Sequence, residues 1–497
     1  MRQIGRRLVF RRKLSPVICH LPAMLKTELD RLAPVTSPLV NAFSAAGHSL
    51  YLVGGPVRDA LLGIPSADLD FTTSARPDQI ESVLRGLHGP IWDMGRAFGT
   101  IGTILPGAGH DWQVEVTTFR ADAYQPDSRK PEVRFGDRIE DDLIRRDFTI
   151  NAMAVDLVSG EFIDPFRGEV DLAEGVIRTP ATAEMSFSDD PLRMMRAARF
   201  AARFGFRPDP EVIAAMLGMA ERLGIVSAER VRDEFTKLVL TDSPRLGIDI
   251  LVRTGLAEIF LPELPALRLE IDEHHHHKDV YEHSLTVLDQ SIALEQARNH
   301  EPDIVGRLAA LLHDIGKPKT RRLEAAGKVS FHHHDVVGAK LATKRLTALR
   351  YPRDVIEPVA RLIELHLRFH GYGEGQWTDS AVRRYVRDAG PELERLHILT
   401  RSDCTTRNKA KAERLRRAYE ELEWRIDELA AQEELDSIRP DLDGNQIMAI
   451  LDIPPSRAVG EAYSFLLERR LDRGPVSPDQ AAQELLEWWD EHNNKPS

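Results

Sequence analysis

Apolar and polar positions along this chain repeat with two different periods, and the change from one to the other divides it. A helix of about twenty residues runs from near Leu25 to Gly47. SLYLVGG then reads as an apolar strand ending at two glycines, and PVRDALLG as a short helix closed by Gly63. ADLDFTT is a second strand and RPDQIESVLRGL a helix. TIGTILP and WQVEVTTFR are strands, the second alternating in period two. The order β-α-β-α-β-β predicts a small mixed sheet with helices on one side. From about Phe187 to Gly255 the period becomes helical, through DPLRMMRAARFAARFGF, PEVIAAMLGMAERLG and AERVRDEFTKLVL. Residues from about 262 to 410 stay helical but are rich in histidine, and a long charged helix follows from about Lys409 to Glu434. GNQIMAIL and a closing helix ending in LLEWW complete the chain.

This pattern predicts an α+β protein of several domains, since 497 residues exceed one ordinary hydrophobic core. The expected divisions are a basic arm over 1–25, a head over 26–180, a helical neck over 181–260, a histidine-rich metal-binding domain over 261–410 and a helical region over 411–497. The arm is read as disordered or as a start assigned too early. Arginines interrupt its first apolar residues, on both sides of LVF, which argues against a signal peptide.

Composition is that of a globular protein, 42% hydrophobic and 29% charged, and no apolar run is long enough to span a membrane. The two cysteines, Cys19 and Cys404, form no CxxC pair; this fits a reducing cytoplasm and argues against both a disulfide framework and a thiolate zinc site. A net charge of -12 argues against a nucleic-acid binder, unless arginines gather on one face.

Three places carry the chemistry of a phosphate site. In LVGGPVRD, Gly54 and Gly55 lie between a strand and a helix, where backbone can approach phosphate oxygens and a helix N-terminus offers N–H groups. Arg58, one turn on, can reach the same anion. In ADLDF, Asp68 and Asp70 are two apart on a strand and share a face, so their charges repel unless a cation sits between them. Oxygen ligands of this kind suit Mg²⁺, and a two-metal site can activate a 3′-hydroxyl and steady a leaving pyrophosphate. Glu115 supplies a third carboxylate from a neighbouring strand. In IRRDFTINAMA, Arg146 is placed to hold a triphosphate.

Arg193, Arg196, Arg199 and Arg203 fall at helical spacing and predict one basic face, with Asp190 beside Arg193. An Asp and an Arg together can read a base. Cytosine and adenine both place an amino donor next to a ring-nitrogen acceptor, which a carboxylate and a guanidinium complement. Uracil and guanine would face the carboxylate with a carbonyl, at a cost of about 1–3 kcal/mol per unsatisfied group.

The combination GGPVRD, DLDF, RRDFTINAMA and DDPLRMMRAARF, in this order from about Tyr51 to Leu240, resembles the bacterial class II CCA-adding tRNA nucleotidyltransferases and their poly(A) polymerase relatives. The resemblance implies a polymerase-β-like head, an all-helical neck, metal binding by Asp68 and Asp70, and nucleotide contacts from Gly55, Arg58 and Arg146. It also implies base reading by Asp190 and Arg193, with Arg196 and Arg199 nearby. Where that family often has Glu-Asp, this chain has Asp189-Asp190. The substrates it implies are tRNA, CTP and ATP, with no membrane and no obligate protein partner.

EHHHHKDVYEHSL, LLHDIGK, FHHHDVVGAK, LIELHLRFH and RSDCTTR resemble the HD phosphohydrolase superfamily. That resemblance implies His283, His313, Asp314 and Asp403 as metal ligands, with His334 and His366 as additional candidates. Imidazole with carboxylate suits Mn²⁺, Ni²⁺ or Fe better than Mg²⁺. The functional expectation is CCA addition to tRNA, with HD phosphohydrolase activity in 3′-end repair. The alternatives are an A-adding enzyme or poly(A) polymerase, an HD phosphohydrolase with an RNA-binding head, and a structural RNA-binding protein.

Overall fold

The computed structural model describes residues 21–66, 68–107, 109–120, 135–269, 279–323, 329–369, 378–405, 408–432 and 438–493. The chain forms two compact units divided between Phe260 and Leu261. Most of the basic arm and the run His274–His277 lie outside the described residues.

The first unit opens with α1 (Leu21–Ala45), whose Leu25, Leu32, Val35, Leu39 and Phe43 share one buried face. It packs on α2 (Gly55–Leu61) and α3 (Pro77–Arg85). The sheet comprises β1 (Leu50–Val53), β2 (Asp68–Thr73), β3 (Ile91–Trp92), β4 (Thr100–Pro106), β5 (Asp111–Thr118), β6 (Ala154–Asp156) and β7 (Phe162–Ile163). Their order across the sheet is β3-β4-β5-β2-β1-β6-β7, and only β2 and β5 pair in parallel. The apolar–polar alternation predicts β1, β2, β4 and β5. The other three strands are two or three residues long, too short to show a period, and are held by pairing with β4, β1 and β6 respectively. Between β5 and β6 lies α4 (Ile139–Ile144).

After α5 (Gly168–Glu174) and β8 (Val176–Ile177), the helices α6 (Ala183–Asp189) and α7 (Leu192–Phe204) meet at an elbow. Pro191 disfavours a helical residue before it, and Asp190 is extended, at φ −142° and ψ 101°. Asp190 therefore stands at the elbow rather than on the arginine helix. The remainder is helical apart from β9 (Arg207–Pro208), which pairs in parallel with β8. It comprises α8 (Pro210–Met219), α9 (Ala228–Val239), α10 (Pro244–Arg253) and α11 (Leu256–Phe260). Helix α7 is gripped between α9 and α10. A Cβ at Gly247 would lie 2.6 Å from the Ala198 carbonyl oxygen, so glycine there permits the close approach of α10.

The second unit begins with α12 (Val280–Ala297) and α13 (Ile304–Leu312), joined by the buried ion pair of Arg307 and Glu295 at 2.9 Å. Next come α14 (Lys317–Thr320), a hairpin of β10 (Arg322–Leu323) and β11 (Val329–Ser330), and the packed pair α15 (His334–Ala348) and α16 (Arg353–Leu365). Then α17 (Asp379–Ala389), α18 (Leu393–Asp403) and the long α19 (Lys409–Gln432) follow. The last helices, α20 (Gly444–Leu451), α21 (Arg457–Arg473) and α22 (Pro478–Asn493), close over their own core of Leu442, Ile447, Leu451, Ala462, Leu466, Ala481 and Leu485. No helix among the described residues is long and apolar enough to cross a membrane.

Candidate nucleotide site and metal cluster

In the first unit the parallel pairing of β2 and β5 sets Asp70 directly beside Glu115 and Asp68 beside Gln113. Because alternate residues share a face, Asp68, Asp70 and Glu115 project together, while Leu69, Phe71, Val114 and Val116 enter the core. Burial raises the pKa of Asp70; Arg146 opposes that shift, and Glu115 and Asp68 add to it. Carboxylates crowded in this way match the donor chemistry of hard divalent cations.

The turn after β1 carries Gly54 at φ 75°, the left-handed region open to glycine. A Cβ built on it would lie 2.6 Å from Arg146 Nη1, so glycine also makes room for that guanidinium. Gly55 begins α2. Arg146 is held from behind by Asp142, whose Oδ2 accepts from Nε at 3.4 Å and Nη2 at 3.2 Å. The other oxygen of Asp142 takes Arg145 Nη2 at 2.5 Å.

Arg58 has a different setting. It is 4% exposed, donates to Asp59 at 2.8 Å and to Asn151 Oδ1 at 2.5 Å, and lies over the rings of Phe200 and Phe204. Asn151 in turn donates to Asp147 Oδ1 at 2.9 Å, and Asp147 Oδ2 accepts Arg196 Nε at 2.7 Å. A polar chain thus runs from the glycine turn, through Asn151 and Asp147, to α7. Burial works against the Asp147 charge, but Arg196, Asn151 and Arg193 outweigh it and hold the carboxyl far below its ordinary value.

The arginine stripe of α7 is helical as the spacing predicts, but its members face four different partners. Arg193 is largely buried and donates to Ser186 Oγ at 2.9 Å and to the Arg145 carbonyl at 2.5 Å. Arg196 pairs with Asp147, Arg199 with Glu234 of α9, and Arg203 with Asp59 at 3.7 Å. At the elbow, Asp190 accepts from Arg230 of α9 at 2.7 Å rather than from Arg193. The site residues that sequence reading passed over are therefore Asp142, Asp147, Asn151, Arg230 and Glu234. Asp142 had a local signal, an acid three and four residues before two arginines. The others depend on pairings that only the folded chain creates.

In the second unit, helices from four places converge on Asp314. Among the described residues, His283, His313 and Asp314 form one set of ligand atoms within 4.8 Å of one another, and Asp314, His334 and His366 form another. His283 Nε2 also lies 2.9 Å from Asp403 Oδ1. Three of the rings are oriented alike. Nδ1 of His313, His334 and His366 faces the carbonyl three residues earlier, of Ala310, Phe331 and Ile363, at 2.9, 2.8 and 2.6 Å. A carbonyl only accepts, so each Nδ1 carries the proton and each Nε2 presents a lone pair to the cluster. Nε2 of His313 then faces carboxylate oxygens of Asp314 at 3.2 Å and Asp403 at 3.6 Å without hydrogen-bond geometry. Acceptor facing acceptor in a buried site fits a bound cation. Burial lowers the pKa of the His313 ring, but Asp314 and Asp403 outweigh it and push it up to about 10. Burial and the neighbouring His313 lower His366 to about 4. Lys317, 2.9 Å from Asp314, was not anticipated from the sequence.

The sheet and its carboxylates have the form of a nucleotidyltransferase head, and the histidine cluster that of an HD metal domain. Comparison with known proteins agrees. The poly A polymerase head domain model matches residues 50–178, the probable RNA and SrmB-binding site of polymerase A matches 205–267, and the HD domain matches 280–408. The chain is 34% identical over 450 residues to an A-adding tRNA nucleotidyltransferase of Deinococcus radiodurans, covering 88% of this chain and 95% of that protein. It is 38% identical over 234 residues to a CCA-adding enzyme of Lactiplantibacillus plantarum, covering 47% of this chain and 55% of that one. Among solved structures it resembles the CCA-adding enzyme of Bacillus stearothermophilus in complex with CTP, with TM-score 0.65, 22% identity and coverage of 97% and 100%. It also resembles the Thermotoga maritima CCA-adding enzyme complexed with tRNA, with TM-score 0.59, 20% identity and coverage of 94% and 98%. The chain belongs to the family of template-independent tRNA nucleotidyltransferases and poly(A) polymerases. Heads and HD domains of this kind generally use divalent metals.

Proposed function

We propose that this protein adds C, C and A in turn to the 3′ end of tRNA from CTP and ATP, without a nucleic-acid template. The observation that carries the reading is the in-register pair Asp70 and Glu115, with Asp68 on the same face and Arg146 reaching over the Gly54 turn. Asp68, Asp70 and Glu115 would hold Mg²⁺, which supplies activation of the RNA 3′-hydroxyl and charge neutralisation on the pyrophosphate. Gly54, Gly55 and Arg146 would seat the triphosphate. The 3′-oxygen bonds to the α-phosphorus as the bond from that phosphorus to the pyrophosphate breaks. Arg58 would act behind the turn, holding α2 against α7.

Base choice would fall to Asp190 and Arg193, with Arg196 and Arg199 setting the position of α7. As the structure stands, Arg193 is engaged by Ser186 and the Arg145 carbonyl, and Asp190 by Arg230. Reading a base would therefore exchange these partners for the amino group and ring nitrogen of C or A. A second reading, addition of the terminal A alone, is favoured by one observation: the relative from Deinococcus radiodurans, matched over nearly its whole length, is an A-adding enzyme.

In the second unit, His283, His313, Asp314 and Asp403, with His334 and His366, would hold a transition metal such as Mn²⁺, Ni²⁺ or Fe, and hydrolyse phosphate esters on damaged 3′ ends. The assignment to residues 1–25, 26–180, 181–260, 261–410 and 411–497 and a cytoplasmic location complete the proposal.

The test is primer extension with Mg²⁺ on tRNA transcripts lacking CCA, ending in C, and ending in CC, each given CTP, ATP or both. Two Cs followed by one A and a stop are expected. Extension of the CC-ended transcript alone means A-addition, long A tails mean polyadenylation, and no extension on any transcript overturns the reading.

A further inference from the structure

Asp142 belongs to none of the recognised motif positions, yet it is fully buried and faces two consecutive guanidiniums. One oxygen serves Arg145 and the other serves Arg146. The contact to Arg146 uses Nε and Nη2, one edge of the planar guanidinium. The third nitrogen, Nη1, is thereby turned toward residue 54, where a Cβ would lie only 2.6 Å away. The position of Arg146 thus rests on a carboxylate behind it and a side-chain gap in front of it.

The same carboxylate reaches a second recogniser. Through its Oδ1 it fixes Arg145, and the Arg145 carbonyl accepts from Arg193 Nη2 at 2.5 Å. The peptide between residues 145 and 146 therefore has the base-reading candidate on one side and the triphosphate candidate on the other.

We propose that Asp142 is a positioning residue for the incoming nucleotide, aligning Arg146 with the Gly54 turn. This rests on the reading that Arg146 holds the triphosphate. Asp142 does not touch the nucleotide; it determines where the guanidinium waits. Its loss weakens ground-state and transition-state contact to the triphosphate alike, which raises KM more than it lowers kcat.

The experiment is a double-mutant cycle in the full chain, with ATP as the varied substrate on CC-ended tRNA and melting temperature measured in parallel. D142N should raise KM for ATP about ten-fold with kcat within about three-fold, the scale of one misplaced charge-assisted contact. R146A should raise KM as well, and D142N added to R146A should change KM no further. D142E, which keeps the charge but displaces it by one methylene, should fall between wild type and D142N; it also serves if D142N does not fold. A folded D142N or D142E with unchanged KM, or a D142N effect that persists in full on the R146A background, overturns the positioning role. If R146A itself leaves KM unchanged, the triphosphate reading of Arg146 fails and the role of Asp142 fails with it. If R146A raises KM while D142N does not, only the role of Asp142 fails.

Discussion

Asp70 sits where opposing effects meet: burial and two neighbouring carboxylates resist its charge, and Arg146 favours it. Replacing it with Asn should cut nucleotide addition by about three orders of magnitude while leaving the melting temperature near that of wild type. That is the expected scale for losing preorganised charge at a reacting phosphate. Comparable rates for Asp70→Asn and wild type in the extension assay would remove Asp70 from the chemistry. Asp147 supports a pH prediction. Its folded pKa lies below the ordinary value of 3.8, so at low pH the unfolded chain binds more protons than the folded one. The stability it contributes is complete above about pH 4 and is lost as pH falls further. Urea midpoints at pH 5 and pH 3 should therefore differ less in Asp147→Asn than in wild type. An equal drop in both would show that Asp147 does not govern acid unfolding. At this scale the sequence exposed residues whose chemistry is local. The spacing of Asp68 and Asp70 was enough to place them on one face. Asp147 was not legible, because its partner Arg196 lies 49 residues away and only the packing of α7 brings them together.

Among elements, the helix α7 shows how far a period can be read. The spacing of its four arginines gave one helical face correctly, but period carries no information about neighbours. Arg196, Arg199 and Arg203 pair with Asp147, Glu234 and Asp59, so part of the charge is met inside the protein while Arg196 and Arg203 stay more than a third exposed. Pro191 could have warned that Asp190 stands off the helix, since the residue before proline avoids helical backbone. In the second unit, α14 meets α15 at Gly316, where a Cβ would overlap the His334 carbonyl. Gly316→Ala should push the two apart, shift His334 and lower bound metal, measured by elemental analysis after dialysis. Binding of ATP to the head should not change. Full metal retention in Gly316→Ala would mean that this contact does not position the cluster.

For the whole molecule, the chain divides into two units between Phe260 and Leu261, close to where the histidine-rich stretch begins, whereas strand periodicity ends earlier, near Phe187, inside the first unit. Sequence alone did not show that the last three helices have a core of their own, because their apolar residues find each other across turns. Removal of residues 411–497 takes away this core together with α19. It should weaken tRNA binding more than ATP binding, as measured by filter retention of labelled tRNA and equilibrium dialysis of ATP. An unchanged tRNA affinity would place the RNA grip elsewhere in the chain.

The parallel pairing of β2 with β5 has one more consequence. A slip of one residue between these strands would turn Glu115 away from Asp70 and, by the same rotation, drive Val114 and Val116 out of the core. The misaligned sheet would lose its apolar packing and its third carboxylate together. A mutation that stabilised the slipped form would therefore have to overcome the hydrophobic effect before catalysis was touched. For this head, the chemistry is guarded by the greasiest residues in the sheet.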